Sequence, residues 1–303
     1  MASPVIALLI VAVGIQFAAQ APINGGLGRS TGPLAAALVS NTIGTICLLL
    51  ICLLGGWMAG LGRVGEVPSW ELTGGLIGGM YVGVAAIVIS RIGAGVVAAA
   101  TITGQLACSV AVDHFGWFGI EVHDVSGPRV LGLLLLLGGA LAMVYSREEA
   151  SGTPVAGRSH RVLYVPLVLL IAALVGLQHP INSDLATHIG DFPAGFMNFA
   201  VGTVLLAVLV VASGKAVGLR RVREAKSYYF LGGPIGVITV VSSLAAVTEI
   251  GAAGLTSALV TGQLIGALVL DRIGAFGLPR VPVNWVRLAA VAALLGGTFL
   301  ATS

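Results

Sequence analysis

Charge is scarce in this sequence. Only 9% of its 303 residues are Asp, Glu, Lys or Arg, against about a quarter in water-soluble domains. So little charge cannot cover a surface that meets water on every side, and with 57% hydrophobic residues and a mean hydropathy of +1.04 the exterior must face lipid. The net charge of +3 is too small to suggest a nucleic-acid partner. Cysteine is also scarce. Cys47, Cys52 and Cys108 fall inside apolar stretches with no Cys-x-x-Cys or Cys/His spacing, which argues against a disulfide framework or zinc site and for small core residues. No motif asks for a cofactor or a metal. Residues 1–21 end in Ala19-Gln20-Ala21, the small-x-small form of a signal cleavage site, but they lack a basic n-region and recur later in the chain. They are expected to form a retained first helix.

Long apolar runs are what the chain does have. Spans able to cross ~30 Å of hydrocarbon are expected at 4–28, 33–58, 72–90, 92–112 and 129–146, then at 162–182, 192–213, 228–248, 250–270 and 286–302. No ionised residue sits well inside any of them, and no strand-like alternation suggests a barrel. Tryptophans and tyrosines cluster at run ends, as amphipathic rings do at an interface, with Tyr81 the mid-span exception. The fold class is thus all-α integral membrane, with ten transmembrane helices in two inverted five-helix repeats.

The repeat is read from a single offset of 158 residues. It superposes Gln20-x-Pro22-Ile23-Asn24 on Gln178-x-Pro180-Ile181-Asn182 and Thr103-Gly104-Gln105-Leu106 on Thr261-Gly262-Gln263-Leu264 without a gap. Across 92–119 and 250–277, 12 of 28 positions are identical. The units are 1–150 and 162–303, joined by a cytoplasmic linker at 151–161. Five spans is an odd number, so the second unit enters the membrane from the opposite side. With the N-terminus outside, thirteen Lys and Arg fall on inner loops and only Arg63 and Arg129 on outer ones, which places both termini outside the cytoplasm of a multi-pass inner-membrane protein.

Residues common to both halves are candidates for function or for packing. Pro22 and Pro180 each free a carbonyl near one end of a helix, so they serve either as gating kinks at the two mouths or as bends that fit neighbours. Asn24 and Asn182, two residues on, can face a cavity. Gln105 and Gln263 carry uncharged donors and acceptors at mid-span, where lipid is costly, so they are expected to face inward. With Thr103, Thr261 and Tyr81 they form the candidate solute site, and the competing role is an interhelical clamp. Asn41, Asn198, Thr101, Thr239, Ser242 and Ser243 are further polar groups inside spans, each readable as an ordinary interhelical contact. Gly75, Gly79 and Gly83, with Gly232 and Gly236, read as close-packing faces. His179, before Pro180, is the candidate for proton coupling, against the blander role of an interfacial polar residue. His114, Glu121, His123 and Asp124 share an acidic loop at 113–124 that reads as solvated rather than as a metal site. The lack of an intramembrane carboxylate disfavours proton/cationic-drug antiport.

Pro22-Ile23-Asn24-Gly25-x-Leu27-Gly28, Gly44-Thr45 and the repeated Thr-Gly-Gln-Leu resemble the drug/metabolite transporter superfamily, in particular its YdcZ-like branch in fused ten-helix form. The resemblance spans almost the whole chain. It implies an inner-membrane exporter whose central cavity is formed by helices 1, 3 and 4 with 6, 8 and 9. The second motif departs from the pattern, since Ser183-Asp184 stands where the first has Gly25-Gly26. The expected function is secondary transport of small metabolites or amphipathic solutes by alternating access. Alternatives are a lipid or lipid-linked-sugar flippase and a non-transporting assembly partner; an enzyme is not expected. The expected partners are a small-molecule solute and the bilayer, and a homodimer stays open.

Overall fold

A computed structural model describes residues 2–92, 94–122, 126–151, 158–278 and 280–302. His123, Asp124 and linker residues 152–157 lie outside the described residues. Everything described is helix, 3₁₀ turn or loop. The helices are α1 (Ala2–Phe17), α2 (Gln20–Thr31), α3 (Pro33–Leu54), the short α4 (Met58–Gly62), α5 (Thr73–Ile92) and α6 (Ala94–Phe115). There follow α7 (Gly127–Ser151), α8 (Arg158–Ile189), α9 (Asp191–Ala212), α10 (Gly232–Ile273) and α11 (Trp285–Thr302). Among the described residues, six helical stretches are long and apolar enough to cross a membrane, the longest being Ser227–Ile273 with 47 residues. Mid-helix side chains such as Leu134 and Val204 are more than half exposed, which is stable only against lipid.

Proline and glycine punctuate these helices at repeat-equivalent places. The first apolar run breaks between α1 and α2 at Ala18–Ala19, because the Pro22 ring supplies no N–H and crowds the carbonyl four residues earlier. Its counterpart Pro180 leaves α8 continuous. Single glycines turn α2 into α3 and α8 into α9: Gly32 has φ 86°, ψ 154° and Gly190 has φ 91°, ψ 158°, a region closed to side-chain-bearing residues. Gly251, at φ 71° and ψ 171°, does the same inside α10, so the 42-residue element is two arms joined at one residue.

Small residues let the helices approach closely, and their contacts come in reciprocal pairs. A Cβ at Gly14 of α1 would stand 2.9 Å from Gly262 Cα, and one at Gly104 of α6 would stand 2.9 Å from the Ala172 Cβ of α8. Gly14 and Ala172 are repeat equivalents, as are Gly262 and Gly104. Likewise Gly132 of α7 meets Gly297 of α11, while Gly139 meets Ala290. Gly75 lies on the Asn198 carbonyl as Gly233 lies on the Ser40 carbonyl. Contacts that recur with partners exchanged are the signature of two-fold pairing. Apolar residues accordingly form several small clusters along these seams, such as Ile10, Val11, Val247, Ile250, Leu255 and Leu259 between α1 and α10.

Candidate functional site

Amide side chains gather at the seams between the halves. In α1 and α2, Gln16 donates to Thr239 Oγ1 at 3.1 Å and Gln20 donates to the Gly232 carbonyl at 2.8 Å. In α8, Gln178 and Asn182 both donate to Asn198 Oδ1 at 3.0 Å. Between them, Asn41 donates to the Phe199 carbonyl at 2.9 Å and to Thr203 Oγ1 at 3.0 Å, and Thr203 shares a 2.8 Å hydrogen bond with Thr45.

The Asn24 and Asn182 oxygens are the exception to this satisfaction. Both are buried without a hydrogen-bond partner, each pressed on a glycine, Gly232 for Asn24 and Gly74 for Asn182. One helical turn along, Gln20 lies on Gly236 and Gln178 on Gly78. The packing is therefore duplicated, an amide row on one helix against a Gly-x-x-x-Gly face on another, while the hydrogen-bond partners differ: Gln20 donates to the Gly232 carbonyl and Gln178 to Asn198. An orphaned buried acceptor costs about 1–3 kcal/mol, so two at equivalent positions require an explanation. The glycine faces were only partly legible in the sequence. Gly74 and Gly78 are the equivalents of Gly232 and Gly236, whereas Gly75 and Gly79 pack on α9 instead.

The remaining candidates divide. Gln105 and Gln263 are half-buried, and among the described residues neither side chain makes a hydrogen bond. Thr261 is buried and committed to α11, 2.7 Å from Thr298 Oγ1, while Thr103 is half-buried. The Tyr81 hydroxyl lies 3.4 Å from Thr101 Oγ1, and the crevice that Tyr81 lines with Val84, Val168 and Ile171 holds no space for a water. His179 is half-buried beside the buried Pro180. A volume of about 330 Å³ opens instead at the ends of the helices, lined by Arg29, Ser30, Arg221, Glu224, Lys226 and Tyr229.

Ionised residues are buried after all, at positions expected to lie in loops. Asp113 is fully buried, ion-paired with Arg129, and accepts from the backbone N–H groups of Ala252 and Ala253 at 2.6 and 3.0 Å. It thereby caps the helical arm that starts at Gly251, with its negative charge on the positive end of the helix. Asp271 and Arg287, the equivalents of Asp113 and Arg129, form a second buried pair at 2.7 Å. Asp113 thus does not belong to a solvated acidic loop, and Arg129 and Arg287 are not free loop cations. The shared offset was the available signal. After each aspartate comes Gly-x-Phe-Gly, in which Phe118 and Phe276 take φ values of 60° and 56°, unusual for a bulky residue.

A family profile described as "Putative inner membrane exporter, YdcZ" matches the chain twice, over residues 5–142 and 163–300. The Inner membrane protein YdcZ of Escherichia coli (strain K12) is 26% identical over 133 residues, covering 43% of this chain and 89% of that one. A protein of solved crystal structure superposes with a TM-score of 0.69 over 98% of this chain and 96% of its own at 15% identity, which shows a common fold. With both halves matched in turn, the chain belongs to the YdcZ family of inner-membrane exporters and is an all-α, multi-pass membrane protein.

Proposed function

We propose that the protein is a ten-span secondary transporter that exports small polar or amphipathic solutes by alternating access between two inverted five-helix repeats. The spans are α1 with α2, α3, α5, α6, α7, α8, α9, the two arms of α10, and α11. Five spans per copy invert the second copy, and the basic loops set both termini outside the cytoplasm.

The observation that carries this reading is the pair of orphaned amide oxygens on Asn24 and Asn182. Packing alone has no use for two unpaired acceptors on opposed glycine faces. A solute bearing hydroxyl or amino donors would satisfy them, and the glycines allow an amide row to withdraw without tearing interlocked side chains. Gln105 and Gln263, half-buried and unpaired, supply further contacts as the seams part. Pro22 and Pro180 sit two residues from the orphaned asparagines, and each leaves a carbonyl one turn back without its helical donor, a weak point at which a row can swing although α8 runs continuous through Pro180. The tight seams and the filled crevice at Tyr81 suit a closed resting state. The test is metabolite profiling of cells with and without the protein, followed by flux of the accumulating compounds into proteoliposomes. Flux that survives Asn24→Leu together with Asn182→Leu in folded protein would remove the solute site from these rows.

A further inference from the structure

Among the described residues, Glu71 is the fully buried acid that no arginine or lysine neutralises. It sits in the 3₁₀ turn Ser69–Leu72 that leads into α5, with 1% of its surface exposed under the last turns of α8. Its Oε2 makes no hydrogen bond and stands 3.2 Å from Nδ1 of His188, an imidazole with 49% of its side chain open to solvent. That Nδ1 also lies 3.1 Å from the Asp184 carbonyl and 3.4 Å from Thr187 Oγ1. By contrast, the other two fully buried acids, Asp113 and Asp271, are each locked to an arginine.

The duplication shows that the fold does not need an acid here. At the offset of 158, Glu71 corresponds to Tyr229, His188 to Ser30 and Asp184 to Gly26. In the other half these positions line the pocket that carries Arg29, Arg221 and Lys226. The same backbone thus builds one end with an acid and a histidine and the other with cations. A carboxylate present in only one copy, buried with a histidine and no arginine or lysine beside it, is expensive as packing and useful as a group that exchanges a proton.

We propose that Glu71, covered by His188, is a proton-binding site and the coupling site of the transport cycle, an inference that rests on the reading above. A solvent proton is taken up at Nε2 of His188 as the Nδ1 proton passes to Oε2, forming an O–H bond that neutralises the carboxylate; the imidazole stays neutral in its other tautomer and resets by proton exchange with water. Withdrawal of α8 exposes the acid to water and releases the proton. Burial, and to a smaller extent the charge of Asp184, hold the Glu71 carboxyl above the usual carboxylate range, while His188 pulls it down. Those two residues of α8 are the groups whose charge acts on it. Arg63 and Glu66 on the preceding turns and Asp191 at the start of α9 are exposed, and the opening turns of α5 carry no ionisable side chain.

The experiment is an infrared pH titration of the full-length protein in lipid nanodiscs, following the carbonyl stretch of a protonated carboxylic acid. The wild type is expected to show a band that persists above the ordinary carboxylate range. Glu71→Gln should abolish it, Glu71→Asp should shift it, and His188→Gln should raise its midpoint by about one unit. A band that survives Glu71→Gln, or no band above that range, overturns the proposal. Should Glu71→Gln fail to fold, the His188→Gln midpoint decides: an unmoved or lowered midpoint overturns the site. Export of the profiled compounds at about pH 6 and about pH 8 then tests coupling, with a several-fold rate ratio in the wild type falling to one in Glu71→Gln. A ratio unchanged in the variant refutes the coupling role. A titrating band lost in Glu71→Gln without any export refutes the transport reading and leaves the proton site standing.

Discussion

Thr45 and Thr203 share a 2.8 Å hydrogen bond although 158 residues separate them. The same offset superposes the two halves of the sequence, so each threonine touches its own counterpart. A residue meets its own equivalent only on a two-fold axis. That axis runs between α3 and α9, and the exchanged pairs Gly14–Gly262 and Ala172–Gly104 lie on either side of it. Whether it lies in the plane of the bilayer is a matter of topology, which labelling from the two sides reads directly.

Arg63 and Arg221 are repeat equivalents on exposed turns. In a background freed of Cys47, Cys52 and Cys108, Arg63→Cys should react with an impermeant maleimide on intact spheroplasts. Arg221→Cys should react only after permeabilisation. Equal labelling of both from one side would rule out inversion.

Gly251 holds a conformation closed to other residues, and a Cβ there would stand 2.8 Å from a carboxylate oxygen of Asp113. Gly251→Ala should therefore destabilise the protein by about 1–3 kcal/mol. Lowered thermal stability in detergent, with Gly25→Ala as a control in open space, is the readout.

Breaking one buried ion pair strands a charge, at a cost of about 3–5 kcal/mol. Asp113→Asn and Arg129→Met should each fall in that range, whereas the double variant should lose markedly less than their sum. The same cycle on Asp271 and Arg287 should behave alike. Additive losses in thermal melts would show that the partners do not act on each other.

Gln105→Leu and Gln263→Leu should each lower flux in proteoliposomes several-fold while leaving the melting temperature nearly unchanged, since neither amide makes a hydrogen bond among the described residues. A parallel loss of stability would assign both to packing.

Glu71 gives stability a pH dependence of known sign. Its pKa is raised in the folded chain, so folding favours the protonated form. That contribution is complete below the ordinary glutamate value of about 4.3 and is lost as pH rises through the folded value. Glu71→Gln should therefore melt higher than wild type at about pH 8 and level with it at about pH 4. A lower melting temperature at the higher pH would contradict the direction.

Much of this was legible in one dimension because membrane helices and internal duplication leave linear traces. Asn24 and Asn182 were visible as twins, and so was the Asp113–Asp271 match. The misreadings share a cause. Asp113 and Arg129 look like loop charges because each lies at the edge of an apolar run, and a sequence does not show that another helix end folds over them; Glu71 went unread for the same reason. Gly75 and Gly79 resemble Gly232 in spacing, but only the helix rotation decides that Gly74 and Gly78 are the ones that receive the amides.

Composition together with long apolar runs lacking strand-like alternation settled that the chain is helical and embedded in lipid, because an unpaired peptide group in hydrocarbon is too costly for any open alternative. The single offset settled that it is made of two related units. Tertiary structure decided which polar atoms are satisfied: it locked Asp113 to Arg129, left Asn24 and Asn182 without donors, and set His188 over Glu71. Those outcomes depend on approach distances of a few ångströms between residues far apart along the chain, and a linear string fixes residue types but not such distances.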